Sequence, residues 1–383
     1  MAPTDSAPVA AEGLGTGVSG APGPSAGPVR RTRLTPAVAD VRRAVRQGLG
    51  AFLDPADDGV HFPRCARPDR VAPAPSSLAA PDVPLVLVAL SGGPDSLALA
   101  AAVAFEAPRM AARAGAVIVD HGLQEGSAQV AAQAAATARS LGLAPVLVRC
   151  VAVGGDSEAA ARQARYAALD EAVRQTGARA VLLAHTLDDQ AETVLLGLAR
   201  GSGARSLAGM RPVAGHYLRP LLQVPRVTTH RACDDLGLHP WHDPMNADAR
   251  YARPRVRDVV LPTLEAQLGP GVAAALARTA GQLAEDADAL DQIAQELLQD
   301  LCEPAEAGLA IPVGVLAANP PALRHRVIRA AVRAEFGTSL ERVHVLAVAG
   351  LITNWHGQAA LDLPGVRVVR QGGRLVFSAP GRA

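Results

Sequence analysis

The 383-residue sequence contains no lysine, so all 37 of its permanent side-chain cations are arginines. Two explanations stay open, because arginine suits RNA through its bidentate grip on phosphate, while a GC-rich genome would give the same bias. The formal net charge of +1 points to no nucleic-acid partner. The charge is unevenly distributed, however, because residues 200–258 hold ten arginines, five aspartates and no glutamate, a local excess of +5.

Cysteines and aromatic residues are also scarce. The four cysteines stand alone, at Cys65, Cys150, Cys233 and Cys302, and no pair has CxxC spacing. This excludes a zinc ribbon, a cysteine-bound iron–sulfur centre and a disulfide scaffold, and it fits a reducing compartment. Neither a signal-peptide pattern nor an apolar run of membrane-spanning length is present. We therefore expect a soluble, cytoplasmic protein without a membrane partner.

The length and the composition shifts predict several regions. The first is rich in Ala, Pro, Gly and Ser, which is typical of disorder; a helix with Thr35 as its N-cap follows, and then a proline-rich loop. The predicted division is a disordered tail at 1–34, a helix and loop at 35–82, an α/β domain at 83–240 and a mostly helical domain at 241–383.

Short apolar runs alternate with helical segments through the predicted α/β domain. Such alternation indicates a parallel sheet flanked by helices with right-handed crossovers. The predicted strands are 84–90, 116–119, 145–149 and 180–184. Beyond residue 250 the pattern predicts helices at 255–268, 272–301, 321–336 and 339–352, followed by a terminal hairpin at 366–378 with Gly372-Gly373 as its turn.

Polar residues follow three of these strands. They are Ser91–Ser96 after the first strand, Asp120-His121 after the second and His185–Glu192 after the fourth. Because ligands bind beyond the carboxyl ends of the strands in an open parallel sheet, we expect these three segments to form one site.

Ser91-Gly92-Gly93-Pro94-Asp95-Ser96 has the properties of a phosphate-binding loop. Its backbone N–H groups, two hydroxyls and helix N-terminus would surround phosphate oxygens, and the glycines permit close approach of a ligand. It is not the GxxxxGK[ST] phosphate-binding loop of kinases and GTPases, because it is shorter and has no lysine. Asp95 would repel a phosphate unless a divalent cation lies between them, which assigns Asp95 to Mg²⁺. The alternative is an ordinary strand–turn–helix connection with Ser91 or Asp95 as the cap.

The segment His185-Thr-Leu-Asp-Asp189-Gln-Ala-Glu192-Thr has two interpretations. If a helix begins near His185, then His185, Asp189 and Glu192 share one face and could hold a metal and orient a reacting group. Alternatively, Asp189 is the N-cap of the helix and Glu192 completes a capping box. Arg165, on the preceding helix, either lies on a solvated face or reaches an anionic ligand.

The strand–SGGPDS–helix arrangement resembles the N-type ATP pyrophosphatase (PP-loop) superfamily, whose fold is a Rossmann-like parallel sheet. Further stretches are similar to the tRNA(Ile)-lysidine synthase family over roughly residues 83–265, and the helices and short hairpin after residue 265 are similar to that family's substrate-binding region. These stretches are 119–123, 161–166, 185–193, 200–203, 207–210, 219–222 and 243–246. The sequence departs from the family at Arg253-Pro254-Arg255-Val256-Arg257, where many members have Arg-Asn-Arg-Ile-Arg.

The resemblance implies an ATP-dependent ligase. Its reaction joins L-lysine to C2 of the wobble cytidine of the tRNA(Ile) that carries a CAU anticodon, releasing AMP and pyrophosphate. It implies ATP and Mg²⁺ as cofactors, and family members are often homodimers. Carried over by position, Ser91–Ser96 bind ATP, Asp95 binds the metal, Asp95, Arg165, His185 and Asp189 are catalytic, and Arg253, Arg255 and Arg257 bind the tRNA substrate. From the residues themselves we also expect Asp189 to bind the metal, and Asp189 and Glu192 to bind the positively charged lysine.

Three alternatives share parts of this pattern. A tRNA 2-thiocytidine synthetase has the same loop but needs clustered cysteines, which are absent here. Enzymes of GMP or NAD synthesis use the same loop, but their glutamine-hydrolysing domain has no counterpart in the sequence. A noncatalytic nucleotide-binding module would lack the Asp188–Thr193 segment and a second domain of this size.

Overall fold

A computed structural model describes residues 34–53, 83–122, 126–151, 158–241, 243, 248, 250–305 and 308–380. Apart from Leu34, the predicted disordered tail lies outside the described residues, as do the predicted loop at 54–82 and residues 244–246 of one family motif. The described residues from Thr35 onward cluster as one compact unit.

The first sheet has six strands in the order β3-β2-β1-β4-β6-β5. The four predicted strands are all present and run parallel, and β6 extends the parallel order. A short edge strand, β5, pairs antiparallel with β6. The strands are β1 (Leu85–Ala89), β2 (Arg113–Asp120), β3 (Val146–Cys150), β4 (Ala180–Leu182), β5 (Val213–Ala214) and β6 (Tyr217–Leu218).

Helices cover both faces of this sheet. The strands are apolar on both sides, as Val86, Leu87 and Val88 in β1 show, because each face packs against a helical layer. One core includes residues of α1, α2, α3 and α7, and another includes α4. The helices are α1 (Pro36–Leu53), α2 (Pro94–Glu106), α3 (Ser127–Ser140), α4 (Glu158–Thr176), α5 (Leu187–Ala199), α6 (Ala204–Leu207) and α7 (Arg226–Asp235).

The start of α5 differs from the prediction. Strand β4 ends at Leu182 rather than at residue 184, and α5 begins at Leu187. His185 is therefore on the connection before the helix, and the expectation that it shares a helical face with Asp189 is wrong. The N-cap is Thr186 rather than Asp189, because the Thr186 hydroxyl caps the chain one turn earlier.

A helical segment follows α7 and leads to the longest helix of the described chain. Val256 and Leu261 in this segment are buried against Ala191 of α5. Pro254 is tolerated because it lies in the first helical turn, where its missing N–H has no intrahelical partner to lose. The elements are α8 (Ala252–Arg255), a π-helical turn (Val256–Val260), α9 (Leu261–Leu268) and α10 (Val272–Leu301).

The remaining residues form a small α/β layer with its own core. The predicted terminal hairpin is present and belongs to a five-stranded antiparallel sheet of order β7-β8-β11-β10-β9, whose other strands the expectation of a mostly helical region with a hairpin did not include. Phe377 and Ile311 are fully buried in its core. The elements are β7 (Glu303–Ala305), β8 (Gly308–Pro312), α11 (Val313–Ala318), α12 (Pro321–Phe336), α13 (Arg342–Thr353), β9 (Leu361–Leu363), β10 (Val366–Gln371) and β11 (Arg374–Ser378).

Together these elements confirm the predicted fold class, a helix-flanked parallel sheet followed by a smaller, largely helical region. The boundary at 240/241 stays a prediction. In the described part of the chain no single helix has the length and apolarity to cross a membrane, although residues 252–268 and 272–301, bent by 100°, meet the criteria of length and composition as a pair.

Candidate active site

The Ser91–Ser96 loop connects β1 to the N-terminus of α2. Gly92 has a φ of +84°, a conformation that side chains rarely adopt, so the glycine is required for the turn. The Ser96 hydroxyl accepts from the Ser91 N–H at 3.2 Å and donates to the Gly93 carbonyl at 2.9 Å. Gly93 is the N-cap of α2 and no side chain caps the helix. The first-turn N–H groups are therefore available to an anion.

Three carboxylates from two helices converge on one arginine beside this loop. The Arg226 guanidinium donates from Nη2 to Asp189 Oδ1 at 2.8 Å and to Glu192 Oε1 at 3.0 Å, and its Nε lies 3.8 Å from Asp95 Oδ2. Arg257 donates from Nε to the same Glu192 oxygen at 2.8 Å. Arg226, Arg257, Asp95, Asp189 and Glu192 thus carry two positive and three potential negative charges.

Asp189 has two structural partners as well as its ion pair. Its Oδ2 accepts from the Thr186 N–H and from the Thr186 hydroxyl, both at 2.8 Å, and its own N–H reaches the Thr186 hydroxyl. This is a capping box with Asp189 at the third helical position. Asp189 is therefore a helix-capping residue and a member of the charged cluster at once, since its other oxygen faces Arg226.

The pKa values of the two aspartates move in opposite directions. Burial raises the pKa of Asp95, and the Thr229 hydroxyl bond and the Arg226 charge only partly offset this. Burial also acts to raise the pKa of Asp189, but Arg226 and the hydrogen bonds from Thr186 outweigh it, so this pKa lies below its usual value. At neutral pH Asp189 is firmly ionised, while Asp95 is the carboxylate for which a further cation would be most stabilising.

His185 lies close to Asp189, and its imidazole ring is neutral at pH 7. Burial, together with the charges of Arg219, Arg162 and Arg253, lowers its pKa to about 4, against the opposing effect of Asp189. Its buried Nδ1 has no hydrogen-bond partner among the described residues. A neutral imidazole with one unsatisfied nitrogen can accept a hydrogen bond from a ligand or donate one to it.

This shift predicts a pH dependence of stability that His185 controls. An unfolded histidine takes up its proton near 6.5 and the folded one only near 4, so between these values the unfolded state binds more protons. The free energy of unfolding should therefore be unaffected above about pH 6.5 and fall as the pH drops from there to about 4. Urea denaturation at several pH values should show a weaker acid loss in His185→Asn than in the parent, whereas the exposed His356→Asn should change nothing.

Arg165 contacts His121 rather than a carboxylate. Its Nε donates to His121 Nε2 at 3.3 Å. Burial and the Arg165 charge lower the pKa of His121, which keeps this histidine a neutral acceptor. The contact joins the end of β2 to α4, as expected from the positions of both residues. Since no described ion pair holds Arg165, its charge is available to an anionic ligand.

Replacing Arg165 by alanine should lower turnover by about 100-fold, because a guanidinium that stabilises developing negative charge is removed. Thermal stability should change little, since the side chain is exposed and its single hydrogen bond to a described residue is long. The control is Arg174→Ala on the same helix, where the arginine pairs with Glu171. A large drop in melting temperature in Arg165→Ala with normal turnover would mean that Arg165 is structural.

The three arginines at 253, 255 and 257 have different surroundings. Arg257 lies in the charged cluster, Arg253 donates to the Thr193 hydroxyl at 3.4 Å, and Arg255 donates to the backbone carbonyl of Arg250 at 2.9 Å. The structure thus brings Arg253 and Arg257 to α5 and places Arg255 beside Arg250. Binding of substrate by these residues remains a prediction.

Arg226 and Thr229 belong to the site although the sequence did not single them out. Both are on α7, and the Thr229 hydroxyl donates to Asp95 Oδ1 while Arg226 joins the three carboxylates. The sequence signal for Arg226 was weak. It consists of an arginine at the first position of a helix, where the positive end of the helix dipole disfavours a positive charge. The carboxylate of Asp188 compensates for this charge, because its Oδ2 accepts from the Arg226 N–H at 2.7 Å.

The residues fit an ATP–magnesium complex without forming a metal site by themselves. Among the described residues, no group of three or more His, Cys, Asp or Glu side chains could hold a metal ion. Mg²⁺ needs no such group, because it commonly takes one or two carboxylates and completes its coordination with phosphate oxygens and water. Asp95, adjacent to the uncapped helix start, has the required chemistry.

Two family models and a solved structure match parts of the chain. A family model described as a PP-loop domain matches residues 76–264, and one described as the TilS substrate binding domain matches residues 311–376. A solved structure of the U34-tRNA thiolase NcsA from Methanococcus maripaludis with its [4Fe-4S] cluster has a TM-score of 0.48 and 18% identity, covering 65% of this chain and 80% of that chain.

Curated relatives named tRNA(Ile)-lysidine synthase match nearly the whole chain. The protein from Leifsonia xyli subsp. xyli is 59% identical over 88% of this chain and 98% of its own length. Those from Streptomyces coelicolor and Salinispora tropica are 51% and 50% identical, over 89% and 91% of this chain and 98% of each relative. With this identity over both regions, and with the loop and the carboxylate cluster in place, the chain belongs to the tRNA(Ile)-lysidine synthase family.

Proposed function

We propose that the protein joins L-lysine to C2 of the wobble cytidine, C34, of the tRNA(Ile) that has a CAU anticodon. ATP supplies AMP to O2 of the cytosine with release of pyrophosphate, and the lysine amine then displaces AMP from C2. The product, lysidine, reads AUA instead of AUG and changes the identity of the tRNA from Met to Ile. The observation that carries the proposal is the meeting of an uncapped phosphate loop with a cluster of three carboxylates.

The loop and Asp95 account for the nucleotide half of the reaction. The first-turn N–H groups of α2 would hold phosphate oxygens, and Asp95 would hold Mg²⁺ against them. Magnesium held by Asp95 would supply positive charge to stabilise the pyrophosphate leaving group. The chain supplies no covalent nucleophile in this scheme, so its contribution is orientation and charge stabilisation.

The cluster around Glu192 accounts for the lysine half. With Asp95 assigned to the metal, Asp189 and Glu192 are the carboxylates that would face a ligand cation such as the lysine ammonium, beside their partners Arg226 and Arg257. The reaction also develops negative charge on the base and on the phosphate, which hydrogen-bond donors must stabilise. We assign this role to His185, which is neutral at working pH, and to Arg165. We place tRNA contacts on Arg253, Arg255 and Arg257, within the basic 200–258 region.

The test is incorporation of labelled L-lysine into RNA. The protein is incubated with ATP, Mg²⁺, labelled lysine and a tRNA(Ile) transcript with a CAU anticodon, beside a transcript in which C34 is replaced by U34. Label should enter only the C34 transcript, with one AMP and one pyrophosphate released per lysine. Binding of lysine can be measured separately. Because the chain contains no lysine, any lysine in an acid hydrolysate of the untagged, gel-filtered protein is bound ligand. Label without AMP, or equal labelling of both transcripts, contradicts the proposal.

Thiolation is the alternative chemistry on the same loop. Cys150 and Cys302 are exposed, Cys233 is buried, and no cysteine cluster occurs among the described residues. Burial raises the pKa of Cys233 to about 12, so this thiol is not a nucleophile.

A cytoplasmic location and a homodimeric state are further predictions, to be tested by fractionation of cells and by sedimentation of the protein.

A further inference from the structure

Arg219 is a buried arginine that pairs with no carboxylate among the described residues. Only 7% of the residue is exposed. Its Nη1 donates to the Arg211 carbonyl at 3.0 Å and its Nη2 to the Tyr166 hydroxyl at 3.4 Å, while its buried Nε has no hydrogen-bond partner in the described chain. A guanidinium buried without a counter-charge is costly, and one carbonyl and one long bond to a phenol offset little of that cost. Such a residue is suited to bind an anionic ligand.

The fold places Arg219 at the edge of the first sheet that carries the candidate site. Strands β4 and β6 run parallel with Leu182 beside Leu218, and the Leu183 N–H donates to the Leu218 carbonyl at 2.8 Å. Arg219 therefore follows β6 at the same carboxyl edge where His185 follows β4. The buried Nδ1 of His185 also has no partner among the described residues. Two buried polar groups after adjacent strands are thus available to one ligand.

The Tyr166 hydroxyl joins Arg219 to a second arginine. It accepts from Arg219 Nη2 and, at 3.3 Å, from Arg162 Nη2, and the Arg162 guanidinium also lies 4.9 Å from the centre of the Tyr166 ring. A phenol oxygen has two lone pairs and one hydrogen, so these two bonds use both lone pairs and leave the O–H free to donate. No described residue accepts that hydrogen. The two neighbouring positive charges polarise the O–H and make it a stronger donor.

Packing, rather than the hydroxyl itself, holds the Tyr166 ring in place. The ring meets that of Tyr217 edge to face, with centroids 4.9 Å apart and an interplanar angle of 74°. The Tyr217 hydroxyl donates to Asp170 and lies 3.3 Å from the backbone carbonyl of Tyr166. Asp170 also lies 2.9 Å from His216 Nε2, so this carboxylate is engaged away from Arg219. Removal of the Tyr166 hydroxyl alone should therefore leave the ring where it is.

These donors match a carboxylate. A guanidinium N–H and a phenol O–H side by side can bind the two oxygens of one planar anion in charge-assisted hydrogen bonds. Under the proposed function, the Ser91–Ser96 loop takes the phosphates of ATP, and Asp189 and Glu192 take an ammonium group of lysine. The anionic group that is still without a partner is the α-carboxylate of lysine. The end of β6 and the start of α5 would then hold opposite charges of one amino acid.

We propose that Arg219 and Tyr166 bind the α-carboxylate of the free lysine and so select the amino acid over amines that have no carboxylate. Arg162 adds a second positive charge to this subsite. The proposal rests on the proposed function for the identity of the amino acid. It makes Arg219 and Tyr166 specificity-determining residues, since the amine that reacts is at a different part of the substrate.

The test is binding of labelled L-lysine in equilibrium dialysis, with ATP and Mg²⁺ present and tRNA absent. The competitor is cadaverine, which is lysine without its carboxylate. The parent protein should bind lysine at least about 100-fold more tightly than cadaverine. Tyr166→Phe, which keeps the ring, should weaken lysine binding about tenfold, and Arg219→Gln should weaken it about 100-fold. Neither variant should weaken binding of cadaverine, and Tyr166→Phe carries the test if Arg219→Gln does not fold.

The matched control is Tyr217→Phe, which removes a hydroxyl from the neighbouring ring and should leave the preference for lysine over cadaverine unchanged. The proposal would be overturned if the parent bound no lysine or bound both compounds equally. Equal weakening of both compounds by Tyr166→Phe would show a structural role instead. A raised KM for ATP with unchanged lysine affinity would assign the residues to phosphate and also overturn it. The predicted binding without transfer of lysine to tRNA would contradict the proposed function alone.

Discussion

Replacing Asp95 by asparagine should reduce AMP formation by about 100- to 1,000-fold, the scale expected when one charge-stabilising group is removed from a preorganised site. Asparagine keeps the size of the side chain and can still accept the Thr229 hydroxyl bond. It cannot supply a full negative charge to magnesium. The rate of AMP release with tRNA and lysine present, followed over a range of Mg²⁺ concentrations, measures the effect.

Stability separates this role from a structural one. Burial raises the pKa of Asp95, which means that the fold penalises its charge. Removal of that charge should therefore leave the melting temperature unchanged or higher at neutral pH. Asp234→Asn, at an exposed position of α7, is the matched control. Full activity of Asp95→Asn with the same Mg²⁺ requirement would remove Asp95 from the metal role.

Replacing Arg226 by methionine should cost about 3 to 5 kcal/mol of the free energy of unfolding, the usual result of removing one partner from a buried ion pair. Glu192 is fully buried and Arg226 is 16% exposed, so water cannot replace the missing guanidinium. Asp189 and Glu192 would be left with Arg257, and Asp95 would keep only its contacts with Thr229 and His230 among the described residues. Urea denaturation followed by circular dichroism measures the decrease.

Two further variants make this prediction specific. Arg231→Met, at an exposed position of the same helix, should cost less than about 1 kcal/mol, as substitutions away from buried partners usually do. Arg226→Met/Glu192→Gln should recover part of the stability, because the unpaired buried charge is also removed. Equal destabilisation by Arg226→Met and Arg231→Met would show that the cluster is not an energetic unit.

The sequence predicted the parts of the site that depend on local order. Ser91–Ser96 could be placed because an apolar strand precedes it and a proline and an aspartate open the helix after it. Asp189 and Glu192 could be grouped because they are three residues apart on α5. The cap was assigned to Asp189 instead of Thr186, since both residue types cap helices and only the backbone shows where the first turn begins.

The particular ion-pair and strand partners from distant parts of the chain were not predicted. Arg226 reaches Asp95 and Glu192 across more than thirty residues of chain, and no periodic pattern encodes such a meeting. The second sheet was missed for the same reason. Its hairpin has a visible Gly372-Gly373 turn, but β8 pairs with β11 across more than sixty residues, and three-residue strands such as β9 give little periodic signal.

The most direct measurement of the central claim is the mass of nucleotide 34 after reaction. A CAU-anticodon tRNA(Ile) transcript treated with the protein, ATP, Mg²⁺ and L-lysine is digested with nuclease, and the anticodon fragment is sequenced by tandem mass spectrometry. We predict that C34 alone gains the mass of one lysine less one water, because O2 leaves with AMP as the amine bonds to C2. An unmodified C34, or the added mass at another nucleotide, would contradict the account.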